Sequence, residues 1–168
     1  MKLTDDASQA PERAEEDRSP GQSFLQDFLP YRLSIASNAV SEVIASTYRA
    51  LFGLSVAQWR VLAVVADFDA PTGQEVVVAT RMDKVGVSRA VANLVARGLI
   101  ERQLDRRDRR AQRLRLSPAG RALHAQVVPE AMALESELLA GFSAKERVLL
   151  ATFLDRLMTA AIDAPDRL

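Results

Sequence analysis

Apolar residues recur at helical spacing through most of the chain and alternate in one place. From about Pro30 to Phe52, Leu33, Ala36, Val40, Val43, Ile44, Thr47 and Leu51 keep the spacing of one helix face, which predicts an amphipathic helix. Pro30 suits its first turn and Gly53 its end. Ser55-Val-Ala-Gln58 is a capping-box sequence. It opens a second helix carrying Trp59, Leu62, Ala63, Val65 and Ala66. Asp67 to Gly73 interrupts the period. A short third helix is expected from about Gln74 to Arg81, although its Val76-Val-Val78 run has weak helix propensity. A fourth spans about Val87 to Arg97 and stops at Gly98, with Val87, Val91, Leu94 and Val95 as its buried stripe.

The period then drops to two. In Ile100-Glu-Arg-Gln-Leu104, Ile100, Arg102 and Leu104 share a face. In Arg113-Leu-Arg-Leu116 the leucines share one face and the arginines the other. Both runs read as half-buried strands of a hairpin. Between them lies Asp105-Arg-Arg-Asp-Arg-Arg110, four arginines and two aspartates in six residues. Ser117-Pro118 then starts a fifth helix, serine at N-cap and proline at N1, which Pro129 should kink or divide. Ser143-Ala-Lys-Glu146 is a second capping box and opens a last helix to about Ala161. Residues 1–22 are polar and acidic; too little apolar area is available there to offset backbone ordering, so a disordered tail is expected.

Composition narrows the function. The 168 residues include no cysteine and one histidine, so disulfides, thiol chemistry and cysteine metal sites are excluded, and a His-rich metal site has too few ligands. No Gly-x-Gly occurs to cradle a phosphate, and no carboxylate pair stands out; neither an enzyme nor a cofactor is expected. No apolar run approaches the roughly 18–20 residues of a membrane span, and the Met-Lys-Leu-Thr-Asp-Asp start lacks the apolar core of a signal peptide. A cytoplasmic location is the expectation. The formal net charge of zero hides an asymmetry: residues 81–121 hold twelve Lys and Arg against four Asp and Glu, a net of +8. A local anionic partner fits this better than a diffuse one.

With Val87, Val91, Leu94 and Val95 inward, the helix turn puts Ser88, Arg89, Ala92 and Asn93 outward. Arg reads guanine, Asn reads adenine and Ser reads either base from the major groove, and the small Ala90 and Ala92 permit close approach. An arginine-tipped hairpin follows at once. Taken alone, the arginine run also fits a solvated charged loop. Together the two parts make a winged helix-turn-helix, the helix for the major groove and the wing for the adjacent minor groove or backbone. The fold class expected is mainly α with a small β-wing. Its parts are a winged helix-turn-helix DNA-binding domain at residues 54–117, a helical region at residues 23–53 and 118–162, and the tail at residues 1–22.

The run Asp83-Lys-Val-Gly-Val-Ser-Arg-Ala-Val-Ala-Asn-Leu-Val-Ala-Arg-Gly-Leu-Ile-Glu-Arg102 resembles the MarR-type transcriptional regulators. So do the Asp105-Arg-Arg-Asp-Arg-Arg-Ala111 wing, the Leu114-Arg-Leu-Ser-Pro-Ala-Gly120 exit and Leu54-Ser-Val-Ala-Gln-Trp-Arg-Val-Leu62. The similarity covers roughly residues 28–162. Gly86 departs from it, standing where the family usually has a threonine or serine capping the recognition helix. Glycine also serves as an N-cap but brings no hydroxyl to a phosphate.

The resemblance implies a sequence-specific DNA-binding homodimer whose dimerisation region is the helices of residues 23–53 and 118–162, and the expectation for this chain is a repressor. Phe24, Leu25, Phe28 and Leu29, with Val148, Leu149, Phe153, Leu154, Leu157 and Met158, are apolar enough to need a partner; by pattern alone, packing within one chain fits equally. The DNA-contact candidates are Lys84, Ser88, Arg89 and Asn93 on the helix and Arg107, Arg109 and Arg110 on the wing, with Asp108 orienting an arginine. Arg102, Arg113 and Arg115 fit strand faces as well as DNA. The resemblance also implies release by a small, often aromatic or phenolic, ligand, for which Tyr31, Arg32, Trp59 and His124 are candidates. Trp59 reads first as core, His124 as structural and Arg32 as a surface ion pair. The competing reading is a winged-helix module for protein contact without ligand response. Operator, regulated genes, sign of regulation and effector are not written in the sequence.

Overall fold

The computed structural model describes residues 24–104 and 112–164. The chain divides into two compact units, residues 1–43 and 44–168. The acidic tail and the wing tip, with Arg107, Asp108, Arg109 and Arg110, lie outside the described residues. Among the described residues no single helix is long and apolar enough to cross a membrane.

In the first unit, helix α1 (Phe24–Asp27) precedes the start of α2 (Leu29–Phe52). Pro30 falls in the first turn of α2, where its missing N–H costs nothing. The Phe24 and Phe28 rings stack at 4.9 Å. None of Phe24, Leu25, Phe28 and Leu29 is buried.

The second unit begins within α2, which ends at Gly53 with φ +60°, a left-handed stop that glycine adopts without strain. Helix α3 (Val56–Asp67) opens on the expected capping box: Ser55 Oγ accepts from Gln58 N–H and Gln58 Oε1 accepts from Ser55 N–H. Helix α4 (Gly73–Thr80) starts on a second box that the apolar pattern gave no cue to, Thr72 with Glu75. This fixes a helix whose valine run would not hold one alone. Helix α5 (Lys84–Ala96) leads into strands β1 (Ile100–Leu104) and β2 (Gln112–Leu116), paired antiparallel with Ile100 opposite Leu116 and Arg102 opposite Leu114. A one-residue bridge joins Thr72 to Arg113, and Leu114 N–H donates to Pro71 O at 2.9 Å. The sheet is therefore tied to the α3–α4 connection.

Two expectations are corrected here. Leu104 is 68% exposed: the hairpin is half-buried only at its base, because Ile100, Leu114 and Leu116 meet the core and β1 then leaves it. Helix α6 (Pro118–Leu138) runs through Pro129, so of the two outcomes expected there division is the one overturned, the flanking turns holding the helix across the one backbone donor that proline lacks. Helix α7 (Ala144–Asp163) begins on the Ser143–Glu146 box. Both the N–H and the hydroxyl of Ser143 donate to the Glu146 carboxylate, holding it below its ordinary range.

The core lies where α3, α4, α5, the hairpin base and α6 meet. Leu54, Val61, Leu62, Val76, Leu94 and Val127 are fully buried, with Tyr48 from the last turns of α2. Burying a side chain of this kind contributes about 1.5–3 kcal/mol. Ser117 closes the hairpin onto α6: its N–H donates to Leu99 O, its hydroxyl donates to Gly98 O at 2.6 Å, and its Oγ accepts from Gly120 N–H. Gly120 sits so close that a Cβ there would fall 2.0 Å from Leu99 O. Gly120→Ala is therefore expected to lower unfolding free energy by about 1–3 kcal/mol. Gly73→Ala, which meets nothing within 4 Å, should leave it unchanged or slightly raised. Chemical denaturation of both variants checks this; equal stability would show that the α6–hairpin junction is looser than described.

Candidate nucleic-acid interface

Helix α5 carries the candidate face, and its start differs from the expectation. The N-cap is Asp83, whose Oδ1 accepts from Gly86 N–H at 2.7 Å. The helix thus begins at Lys84, three residues before Val87. A carboxylate outcompetes glycine for this role because it satisfies an orphan N–H and faces the positive end of the helix. Gly86 is therefore not the cap but the third helical residue, and its missing side chain leaves room for that carboxylate, since a Cβ there would lie 2.9 Å from Asp83 Oδ2.

Val87, Val91 and Leu94 are buried as expected, and Val95 is half-buried. Ala90 is only 5% exposed and belongs to this stripe; it does not flank an approaching surface. Lys84, Ser88, Arg89, Ala92 and Asn93 are exposed. So is Val85, at 57%, which sequence reading missed by starting the helix too late. An apolar side chain in the first turn of a groove-reading helix is suited to a thymine methyl group.

The outward residues are not equivalent. Asn93 Oδ1 accepts from Gln58 Nε2 of α3 at 2.7 Å. Arg97, just past α5, donates to Gly53 O at 2.9 Å and Phe52 O at 3.2 Å. Neither bond was foreseeable from local pattern, the partners lying 35 to 45 residues apart.

The hairpin leaves α5 through Gly98 and carries residues 105–111 between its strands. Of the arginines that fitted either role, two have structural bonds. Arg113 Nη1 donates to Ala70 O at 3.1 Å and lies 3.6 Å from Glu75. Arg115 Nη2 pairs with Asp69 at 3.4 Å. Both hold β2 to the α3–α4 connection; as exposed pairs they contribute little energy each but fix where the wing leaves the core. Arg102 is exposed.

The ligand candidates separate. Trp59 packs edge-on to Tyr48 at 5.5 Å and stacks on His124 at 5.5 Å, so α2, α3 and α6 share a row of three rings. Burial pushes the Tyr48 phenol above its ordinary pKa. Tyr31 and Arg32 belong to the first unit and are exposed. Beside His124 an open groove of about 400 Å³ is lined by Phe68, Asp69, Arg115, Leu116 and Arg121 among others. Among the described residues no group of three His, Cys, Asp or Glu side chains is placed to hold a metal ion.

The MarR family model matches residues 52–111. A MarR family transcriptional regulator of Silicibacter pomeroyi DSS-3 is 34% identical, with 81% of this chain aligned to 99% of that one and a TM-score of 0.69. BpsR of Bordetella bronchiseptica, described with a mechanism for regulation of its DNA binding by 6-hydroxynicotinic acid, is 28% identical over 86% of this chain and 100% of its own, TM-score 0.76. A MarR/EmrR family regulator of Acinetobacter sp. ADP1 shares the fold at TM-score 0.76, with 23% identity over 80% of this chain and 95% of that one. No curated protein matches the chain in sequence.

Proposed function

The chain belongs to the MarR family of transcriptional regulators, and on that premise we propose that it is a homodimer that represses by occupying a pseudo-palindromic duplex site and is released by a small aromatic acid. The observation that carries the DNA reading is the exposed face of α5, with Lys84, Val85, Ser88 and Arg89 on its first turns. The wing of a segment with net charge +8 follows directly. In this reading the N-terminal turns of α5 enter the major groove, Arg89 takes a guanine edge, and Val85 meets a thymine methyl. Lys84 and Ser88 contact base edges or backbone. Arg107, Arg109 and Arg110 track the minor groove or phosphates, and Asp108 aims one of them.

The dimer is supported by α7. None of its residues is buried, and Val148, Leu149, Phe153, Leu154, Leu157 and Met158 are all at least 42% exposed. A helix that exposes a continuous apolar stripe needs a second surface. Phe24, Leu25, Phe28 and Leu29 add a further apolar segment in the first unit. Two copies of α5 would then meet half-sites about 10 bp apart. For the effector, the groove lined by His124, Phe68, Arg115 and Arg121 offers aromatic rings and cations, with Trp59 stacked on His124, and BpsR is the relative that names an aromatic acid. Tyr31 and Arg32, exposed in the first unit, stay ligand candidates on the resemblance alone.

Sedimentation equilibrium should return twice the 18.4 kDa chain mass; a monomer mass overturns the dimer. Binding to a duplex selected from a random pool should weaken steeply with salt, by phosphate neutralisation. Arg89→Ala should cost about 1–3 kcal/mol on that site, and Arg109→Ala with Arg110→Ala should flatten the salt slope. Replacing the contacted thymine by deoxyuridine should weaken the parent and leave Val85→Ala indifferent. Absence of duplex binding at any salt would favour a protein-contact module. 6-Hydroxynicotinic acid should raise the melting temperature and quench the fluorescence of Trp59, the one tryptophan. Neither response, across a series of aromatic acids, would remove the effector from the proposal.

A further inference from the structure

Two side chains on the outer side of α5 are engaged with the protein itself. Arg97 lays its guanidinium on Phe52 O and Gly53 O, at the end of α2, where helix carbonyls run out of intrahelical donors and the dipole is negative. One turn earlier, Asn93 accepts from Gln58 Nε2. The same Gln58 amide accepts through Oε1 from Ser55 N–H at 2.8 Å, so the α3 capping box already aims the donor that reaches Asn93. Asn93 and Arg97 stand four residues apart and therefore project from one side of the helix. Both meet the corner formed by Phe52 to Gln58. That corner is stiff: Gly53 is left-handed, Leu54 is fully buried, and Leu54 N–H donates to Tyr48 O at 3.2 Å.

We infer that Asn93 and Arg97 are positioning residues that clasp the recognition helix to the α2–α3 corner, fixing its angle to the end of α2 and so the half-site spacing that the dimer accepts. The inference rests on the proposed DNA-reading dimer. It moves Asn93 from base reading to orientation, and it gives Arg97 a role although it lies beyond the helix end. A planar fork that reaches two adjacent carbonyls suits arginine and not lysine. The last turn of α2 thus meets α5 through these bonds as well as through Tyr48 in the shared core.

The test compares the parent protein with Arg97→Ala, Gln58→Ala and the milder Arg97→Lys. The duplex is one that the parent selects from a random pool, together with versions carrying one base pair more or fewer between the half-sites. Arg97→Ala is expected to lose about tenfold in affinity for the selected site. Its affinity for mixed duplex and its salt slope should stay at parental values, and the penalty for altered spacing should shrink. Arg97→Lys should recover part of the loss. Gln58→Ala should act in the same direction. Without DNA, hydrogen exchange should rise in α5 and around residues 52–58 in the Arg97 variants while global stability is retained; Gln58→Ala, which also opens the α3 capping box, should raise exchange in α5 with some loss of stability. A salt slope reduced by about one phosphate contact in Arg97→Ala, with mixed-duplex binding equally weakened, would make Arg97 a backbone contact and overturn the inference. Unchanged exchange in α5 would overturn it whether or not a site is selected. A parent that selects no duplex, with exchange responding as expected, would instead sink the DNA reading and leave the clasp standing.

Discussion

Burial of one face of α5 is the constraint from which the rest of the second unit follows. Val87, Ala90, Val91 and Leu94 close against Val61, Leu62 and Val76, all at most 5% exposed. A core helix rotated by a single residue, about 100°, would bury Ser88 and withdraw the apolar stripe. Deleting an aliphatic side chain from such a site costs about 2–5 kcal/mol, a large share of a domain's net stability. The same packing that makes the unit fold therefore selects which residues of α5 remain outside. Lys84, Val85, Ser88 and Arg89 are presented because their neighbours cannot be.

The hairpin is a second consequence. Ile100, Leu114 and Leu116 extend the core by one layer, and Ser117 and Gly120 lock the return onto α6 at close approach. Arg113 and Arg115 add polar ties to the α3–α4 connection. Hydrophobic packing thus fixes the base of the wing, and exposed pairs fix its direction. The arginine-rich run of residues 105–110 lies in the chain between the two strands. Charge enters this design last, and on the surface.

Much of this was legible in the chain itself. The Ser55, Ser117 and Ser143 caps, the Gly53 stop, the buried stripe of α5 and the presence of the two strands all rest on local chemistry, and local chemistry is what a sequence displays. The errors have physical causes too. Asp83 and Gly86 are both admissible caps, and only the observed bond from Gly86 N–H decides between them; the late start hid Val85. Ala90 is too small for its burial to show in a hydrophobic pattern. Pro129 removes one backbone donor without dividing α6. The Arg97 and Asn93 bonds link residues 35 to 45 positions apart, a separation at which periodicity carries no signal. The MarR resemblance supplied what spacing left open, an expectation of a dimer and of a ligand.

The central claim is that the exposed N-terminal turns of α5 enter the major groove of duplex DNA, in two copies. Footprinting of the selected duplex with a probe of guanine N7, which faces the major groove, tests it most directly. The account predicts two protected patches about 10 bp apart, centre to centre, each lost in Arg89→Ala. Protection confined to the backbone or minor groove, or a single patch unaffected by Arg89→Ala, would contradict it.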